Sequence, residues 1–260
     1  MILDIENLSV RYDGPDGPVR AVDEVSLTLE EGAALVLLGE SGSGKTTVAR
    51  AVLGLPGREA HLTGRIRLGG TDLRTLGEAE LSRIRGRRIG YVPQDPTGAL
   101  DPLRRIGPQI VEVLLRHRTA ANRRAARAAV PGLLTTAGVT DPERVARAYP
   151  HELSGGLRQR AAIALAVACG PELLIADEPT TALDALVRGR VLDLFDTLRT
   201  ERGISLLIVT HDLTAARRIG GQVAVMREGR VVEAGPAGQV LGRSAGPGAE
   251  ALAAPRGDRP

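Results

Sequence analysis

The residues Gly39-Glu40-Ser41-Gly42-Ser43-Gly44-Lys45-Thr46 have the spacing of a phosphate-binding loop: Gly, four residues, Gly-Lys, then Ser or Thr. Glycines let the backbone turn successive N–H groups toward an anion, and a following helix adds its positive end. In such a loop Lys45 reaches the β- and γ-phosphates of a nucleotide, Thr46 offers a hydroxyl to Mg²⁺, and Thr47 extends the same binding stretch. Of the 34 Lys and Arg residues, Lys45 alone is lysine. A compact point charge on a slim stem fits a phosphate cradle better than a wide guanidinium fork.

Other residues could complete such a site. Asp177-Glu178 closes the apolar run Leu173–Ala176. At the carboxyl end of a strand, Asp177 is placed to bind Mg²⁺ directly or through water. Adjacent strand residues point to opposite sides, so Glu178 is free to polarise water for attack on the γ-phosphate. His211 follows the run Leu206–Val209 and has two readings: a cap for the next helix, or a hydrogen bond to the γ-phosphate or the attacking water. Ser154-Gly155-Gly156 opens a further helix and reads as a second phosphate site. One nucleotide scarcely occupies both loops of one chain across a long helical insertion, so the economical arrangement is two chains head to tail.

These residues call for an α/β scaffold. Ala34–Leu38 reads as a buried strand leading into the loop, and Thr47–Leu53 as the helix after it. Residues 2–10 and Ala21–Leu29 read as strands around the turn-rich stretch Asp13–Pro18. Tyr12, at the end of the first, is either a platform for a purine ring or an ordinary edge-strand aromatic. Further strands are expected at Gly64–Gly69, Ile89–Pro93 before Gln94, Leu173–Ala176 and Ile204–Val209, with a hairpin of Val223–Met226 and Arg230–Glu233. From Ile106 to about Ala168 the signals are mainly helical, with Arg123–Val130 a basic Ala-rich helix and Pro131, Gly138 and Pro142 as punctuation. That block reads as a helical insertion over residues 98–168, within one domain of residues 1–241. Leu186–Arg199 reads as another helix. Residues 242–260, rich in Ala, Gly, Pro and Arg, read as a disordered tail.

Composition narrows the class. A chain of 260 residues that is 43% hydrophobic can bury a sizeable core, and with 2% aromatics that core is aliphatic. The net charge of +3, with acids and bases interspersed, does not point to nucleic acid. Cys169 is the single cysteine, which excludes a disulfide framework and a cysteine zinc site. Met1–Val10 alternates with acids and shows no signal peptide. The longest helical apolar run, Ala161–Cys169, is about half the length of a bilayer span. The expectation is a soluble cytoplasmic chain whose membrane role comes through partners.

The order Gly39–Thr46, Gln94, Leu153–Gly156, Leu173–Glu178, Ala182-Leu183-Asp184 and His211 resembles the ABC ATPase family across about residues 2–240. The resemblance implies a RecA-like P-loop α/β core with an antiparallel β subdomain and a helical subdomain, binding ATP and Mg²⁺. It implies adenine stacking on Tyr12, a link from Mg²⁺ to the transport partner through Gln94, a grip of Ser154, Gly155 and Gly156 on the opposite nucleotide, communication across the dimer through Asp184, and a switch role for His211. More narrowly, Pro93–Pro96, Leu100–Pro102 with Ile106–Ile110, and Tyr149–Arg160 look like the dipeptide, oligopeptide and nickel importer ATPases. Leu157 stands where the wider family commonly has Gln. Many peptide-importer members carry a C-terminal extension with clustered cysteines, and its lack here leans toward the shorter nickel-type members. The implied partners are a second ATPase subunit, the same chain or a sister, and integral-membrane permease subunits met through the loop Gln94–Asp101. An extracytoplasmic solute-binding protein is an indirect partner. The implied location is the cytoplasmic face of the membrane. A non-transport ABC ATPase acting on DNA or ribosomes would show a long coiled-coil insertion or two cassettes. An exporter is disfavoured by the Gln94–Asp101 loop, and a regulatory module without turnover by Glu178.

Overall fold

Hydrophobic period and local turn chemistry set most of the elements seen in a computed structural model, which describes residues 1–14, 17–57, 59–181 and 183–242. Part of the expected turn (15 and 16), Ala182 of the expected Ala-Leu-Asp motif, and the expected tail from 243 onward lie outside the described residues. The strands are β1 (Leu3–Gly14), β2 (Gly17–Leu29), β3 (Ala34–Gly39), β4 (Ala60–Leu68), β5 (Thr71–Asp72), β6 (Ile89–Val92), β7 (Leu173–Asp177), β8 (Ser205–Thr210), β9 (Gln222–Arg227) and β10 (Arg230–Pro236). The helices are α1 (Lys45–Val52), α2 (Glu78–Ile84), α3 (Ile106–Arg116), α4 (Arg123–Thr136), α5 (Pro142–Arg147), α6 (Gly155–Val167), α7 (Ala185–Arg202), α8 (Leu213–Ile219) and α9 (Ala237–Val240). The chain divides into two compact units, Met1–Leu76 with Leu207–Pro260, and Gly77–Leu206.

In the first unit, β1 pairs antiparallel with both β2 and β4, and β5 extends the sheet beyond β4. The register slips near Asn7, which adopts φ 47°. Serine hydroxyls catch the backbone N–H groups displaced there: Ser26 Oγ accepts from Asn7 N, and Ser9 Oγ from Glu24 N, each at 2.9 Å. The strand expected at Gly64–Gly69 begins earlier, at Ala60, because its partner is β1, from Tyr12↔Ala60 to Leu3↔Leu68. Such long-range pairing leaves no local signal. β3 is buried along its whole length, as an apolar run without alternation requires. It lies parallel to β9, whose hairpin partner β10 turns at Glu228 and Gly229, both at positive φ.

In the second unit, β6 and β7 run parallel, from Ile89↔Leu173 to Val92↔Ala176. Helices α3 to α6 pack on one another. Pro131 was expected to punctuate, yet α4 continues through it to Thr136. Ala126, Val130 and Leu134 form one buried stripe at four-residue spacing, and burying it outweighs the backbone bond that proline forfeits. Thr135 Oγ1 donates to the Pro131 carbonyl at 3.0 Å. The sequence reading placed no helix at α2, because α2 buries no residue and so has no apolar stripe. Among the described residues no helix is long and apolar enough to cross a membrane.

Phe195, the single phenylalanine, is fully buried in α7. Phe195→Ala should cost about 3–5 kcal/mol, seen as a lower urea midpoint at unchanged slope. A loss under about 1 kcal/mol would mean that the site collapses around the missing ring.

Candidate functional site

The phosphate-type loop joins β3 to α1, and it is braced from behind. Gly44, the N-cap of α1, has φ 100°, and a Cβ there would collide with the Ala21 carbonyl. A Cβ on Gly39 would collide with the Met226 carbonyl and sit 2.6 Å from Ser43 Oγ. Gly229, in the β9–β10 turn, donates its N–H to Ser43 O at 3.1 Å, while its own carbonyl accepts from Asp23 N at 2.8 Å. Asp23 also pairs with Arg230 and, at 2.7 Å, with Arg20. Those two guanidiniums, Arg20 foremost, hold its carboxyl below the usual range. Lys45 is 4% exposed, and its ammonium donates to Gly39 O at 2.8 Å, Glu40 O at 2.7 Å and Ser43 Oγ at 3.3 Å. The loop therefore holds its cation within its own carbonyl ring.

The start of α1, like those of α2, α3 and α9, has no side-chain cap. Helices α4 to α8 are capped by the side chains of Asn122, Asp141, Ser154, Asp184 and Asp212. Gly44 has no side chain to cap α1, and the first turn of α1 holds no acid. A helix start of that kind favours an anion from outside the chain.

The other residues of this unit are placed as follows. Tyr12 donates its hydroxyl to Pro56 O at 2.8 Å, and a Cβ on Gly57 would lie 3.8 Å from the ring. His211 is exposed and follows β8. It does not cap α8: that part is taken by Asp212, which accepts from Thr214 N and Ala215 N. Asp212 N in turn donates to Thr210 Oγ1 at 3.0 Å.

In the second unit, Asp177 is the last residue of β7 and is buried. Tyr91, on β6, donates its hydroxyl to Asp177 Oδ2 at 3.5 Å. Glu178 was expected to diverge from Asp177 by strand alternation. The strand has ended by then, and Glu178 adopts φ 45°, a left-handed conformation that costs a non-glycine residue about 1–2 kcal/mol. Thr181 Oγ1 donates to Glu178 Oε2 at 3.0 Å and Gln94 Nε2 donates to the same oxygen at 3.2 Å. Sequence reading missed Thr181 and Tyr91. A hydroxyl three residues beyond an acid, able to turn back on it, was the available signal for Thr181; Tyr91 depends on the β6–β7 pairing and had none.

Ser154, read both as an N-cap and as part of a phosphate site, caps its own helix, accepting from Leu157 N at 3.4 Å. Gly155 is open, whereas a Cβ on Gly156 would press within 3.0 Å of Val187 on α7. Asp184 accepts from Val187 N at 2.9 Å as the cap of α7. Among the described residues, no three His, Cys, Asp or Glu side chains cluster to hold a metal ion by themselves.

An ABC transporter family model matches residues 22–181, more than half the chain, and the chain belongs to that family. The oligopeptide transport ATP-binding protein OppD of Mycobacterium tuberculosis is 44% identical over 89% of this chain, and the match spans 38% of that protein. This chain thus covers little more than a third of that relative's length. OppD of Haemophilus influenzae is 41% identical over 92% of this chain and 74% of its own. Among solved structures, a dimeric post-hydrolysis state of the ATP-binding cassette MJ0796 bound to ADP and Pi superposes with a TM-score of 0.81 at 29% identity, covering 91% of this chain and 99% of that one. The fold is that of the ABC ATPase cassettes.

Gly44→Ala adds a methyl where φ and the Ala21 carbonyl both forbid it. ATP affinity, read by calorimetry, should fall at least about tenfold. Unchanged affinity would mean that the loop tolerates the methyl.

Proposed function

We propose that this chain is the ATP-binding and ATP-hydrolysing subunit of a membrane importer for peptides or a similar small solute. The observation that carries the reading is Glu178, held at φ 45° with one oxygen on Thr181 and Gln94. These two hydrogen bonds orient the carboxylate, and an oriented carboxylate can take a proton from water. In this reading Gly39–Thr47 cradles the phosphates of ATP, Lys45 shifts its ammonium from loop carbonyls to phosphate oxygens, and Tyr12 supports the adenine. Glu178 orients the attacking water, with His211 on the γ-phosphate.

Thr46 and Asp177 would hold Mg²⁺. Hydroxyl and carboxylate oxygens suit a hard cation, and phosphates and water would complete its shell. Bound there, Mg²⁺ would neutralise charge developing on the phosphate oxygens.

A second ATPase subunit, placed head to tail, would offer its Ser154–Gly156 loop to this nucleotide and signal through Asp184. The dimeric MJ0796 cassette supports the presence of a second ATPase subunit. The loop Gln94–Asp101 would meet the permease at the cytoplasmic face of the membrane, with a solute-binding protein acting beyond it. Relatives named for oligopeptide transport favour peptides over nickel. The one-domain reading, with a helical insertion over about 98–168, accords with this role.

Glu178→Gln keeps shape and removes basicity. ATP turnover should fall by about 10²–10⁴-fold with ATP affinity retained, and size-exclusion chromatography with ATP and Mg²⁺ should show a longer-lived dimer, with itself or with its sister subunit. Turnover at the wild-type rate would exclude Glu178 as the base.

Lys45→Ala should behave in the opposite way and lose binding. One charge-assisted contact is worth about 1.5–3 kcal/mol, so ATP affinity in titration calorimetry should weaken by about tenfold or more. Retained affinity would remove Lys45 from the site.

A further inference from the structure

The segments 83–88 and 116–118 carry six arginines within a short distance along the chain: Arg83, Arg85, Arg87, Arg88, Arg116 and Arg118. They sort into two kinds. Arg85 pairs with Glu78 through both nitrogens, at 2.6 and 3.0 Å, and Arg88 pairs with Glu172 likewise, at 2.8 and 2.8 Å. The other four make no ion pair among the described residues. They line, with His117, a surface hollow of about 500 Å³ whose wall contains no carboxylate.

The hollow has a fixed frame. Arg87 Nη1 donates to His117 O at 3.1 Å, and Arg116 Nη2 donates to Ser82 Oγ at 3.1 Å, so two hydrogen bonds cross between the end of α3 and the α2 side. Gly86, at φ 83°, makes room for the imidazole, since a Cβ there would lie 2.6 Å from His117 Nε2. Arg118 adopts φ 55° just past α3, at a position where glycine or asparagine is usual. Partial burial, then the charges of Arg116 and Arg87, push the His117 imidazole below its usual value, and no carboxylate opposes them.

Helix ends do not account for this much charge. Arg83 and Arg116 lie in the last turns of α2 and α3. Each helix C-terminus carries the equivalent of about half a negative charge, roughly one unit for the two, against four guanidiniums. About three positive charges remain. Guanidiniums meet phosphate oxygens in bidentate pairs more readily than any other common anion except carboxylate, and a phosphate group can take several at once.

We propose that this hollow binds a phosphate group, carried either by the headgroup of an acidic phospholipid or by a free phosphate compound. Arg83 and Arg118 make no side-chain hydrogen bond among the described residues, so Arg83→Gln with Arg118→Gln removes two charges and no internal contact. Arg123→Gln with Arg127→Gln, on the exposed start of α4, makes the same change in net charge elsewhere. The full chain, with ADP and Mg²⁺ saturating the nucleotide loop, is titrated with inorganic pyrophosphate by calorimetry. In parallel it is sedimented with vesicles of phosphatidylglycerol and phosphatidylcholine, or of phosphatidylcholine alone. Binding of pyrophosphate identifies a free phosphate compound as the source, and binding confined to the phosphatidylglycerol vesicles identifies the headgroup. In either case the Arg83/Arg118 pair of substitutions should weaken binding by about tenfold or more, and the Arg123/Arg127 pair should leave it unchanged. Failure of both ligands to bind the wild type, or equal loss in the two double variants, overturns the proposal.

Discussion

A loop that binds phosphate through backbone N–H groups must keep those groups pointed outward with no side chain to hold them. Its shape has to be imposed from behind. Here the carbonyls of Ala21 and Met226 close in on Gly44 and Gly39, and Gly229 donates to Ser43 O. Residues far apart in sequence therefore support one turn of eight, and the β9–β10 hairpin is part of the phosphate loop's foundation. The ion pair of Asp23 with Arg230 ties β2 to β10 at the same place, and Arg20, on β2 itself, shares that carboxylate. The same constraint explains the missing cap on α1. A capping side chain would compete with the ligand for the helix start, and glycine leaves that place to the ligand.

The acidic residues of the second unit are held in a different way. Asp177 sits in a strand, where neighbours on β6 fix it. Glu178 has left the strand, and Gln94 and Thr181 both donate to its carboxylate. Under the proposed function, the residue that meets the transport machinery and the residue that orients water are joined by one hydrogen bond of 3.2 Å. Displacement of the Gln94 loop would reach the base with no intermediate residue.

Short-range signals were legible in the sequence, and long-range ones were not. β3 and β7 announce themselves as apolar runs, and Gly39–Thr46 by spacing alone. The true start of β4, the continuation of α4 past Pro131 and the whole of α2 were missed. The first depends on pairing with β1. The second depends on a buried stripe stronger than one proline, and the third on a helix with nothing to bury. Among the candidate site residues, the capping duty of Ser154 was legible and that of Asp184 was not. Ser154 and Asp184 serve as caps in this structure, and Asp212 takes the capping place that His211 was allowed.

With one lysine among its basic residues, the chain offers a single side-chain amine to acylating chemistry. That amine is 4% exposed and engaged with two carbonyls of its own loop. Guanidinium groups are not substrates for lysine acetylation or ubiquitination, so the surface charge of this protein is closed to regulation by those modifications. An acyl group could reach a side-chain amine of this chain only by entering the phosphate loop, where it would cancel the one cation the loop encloses.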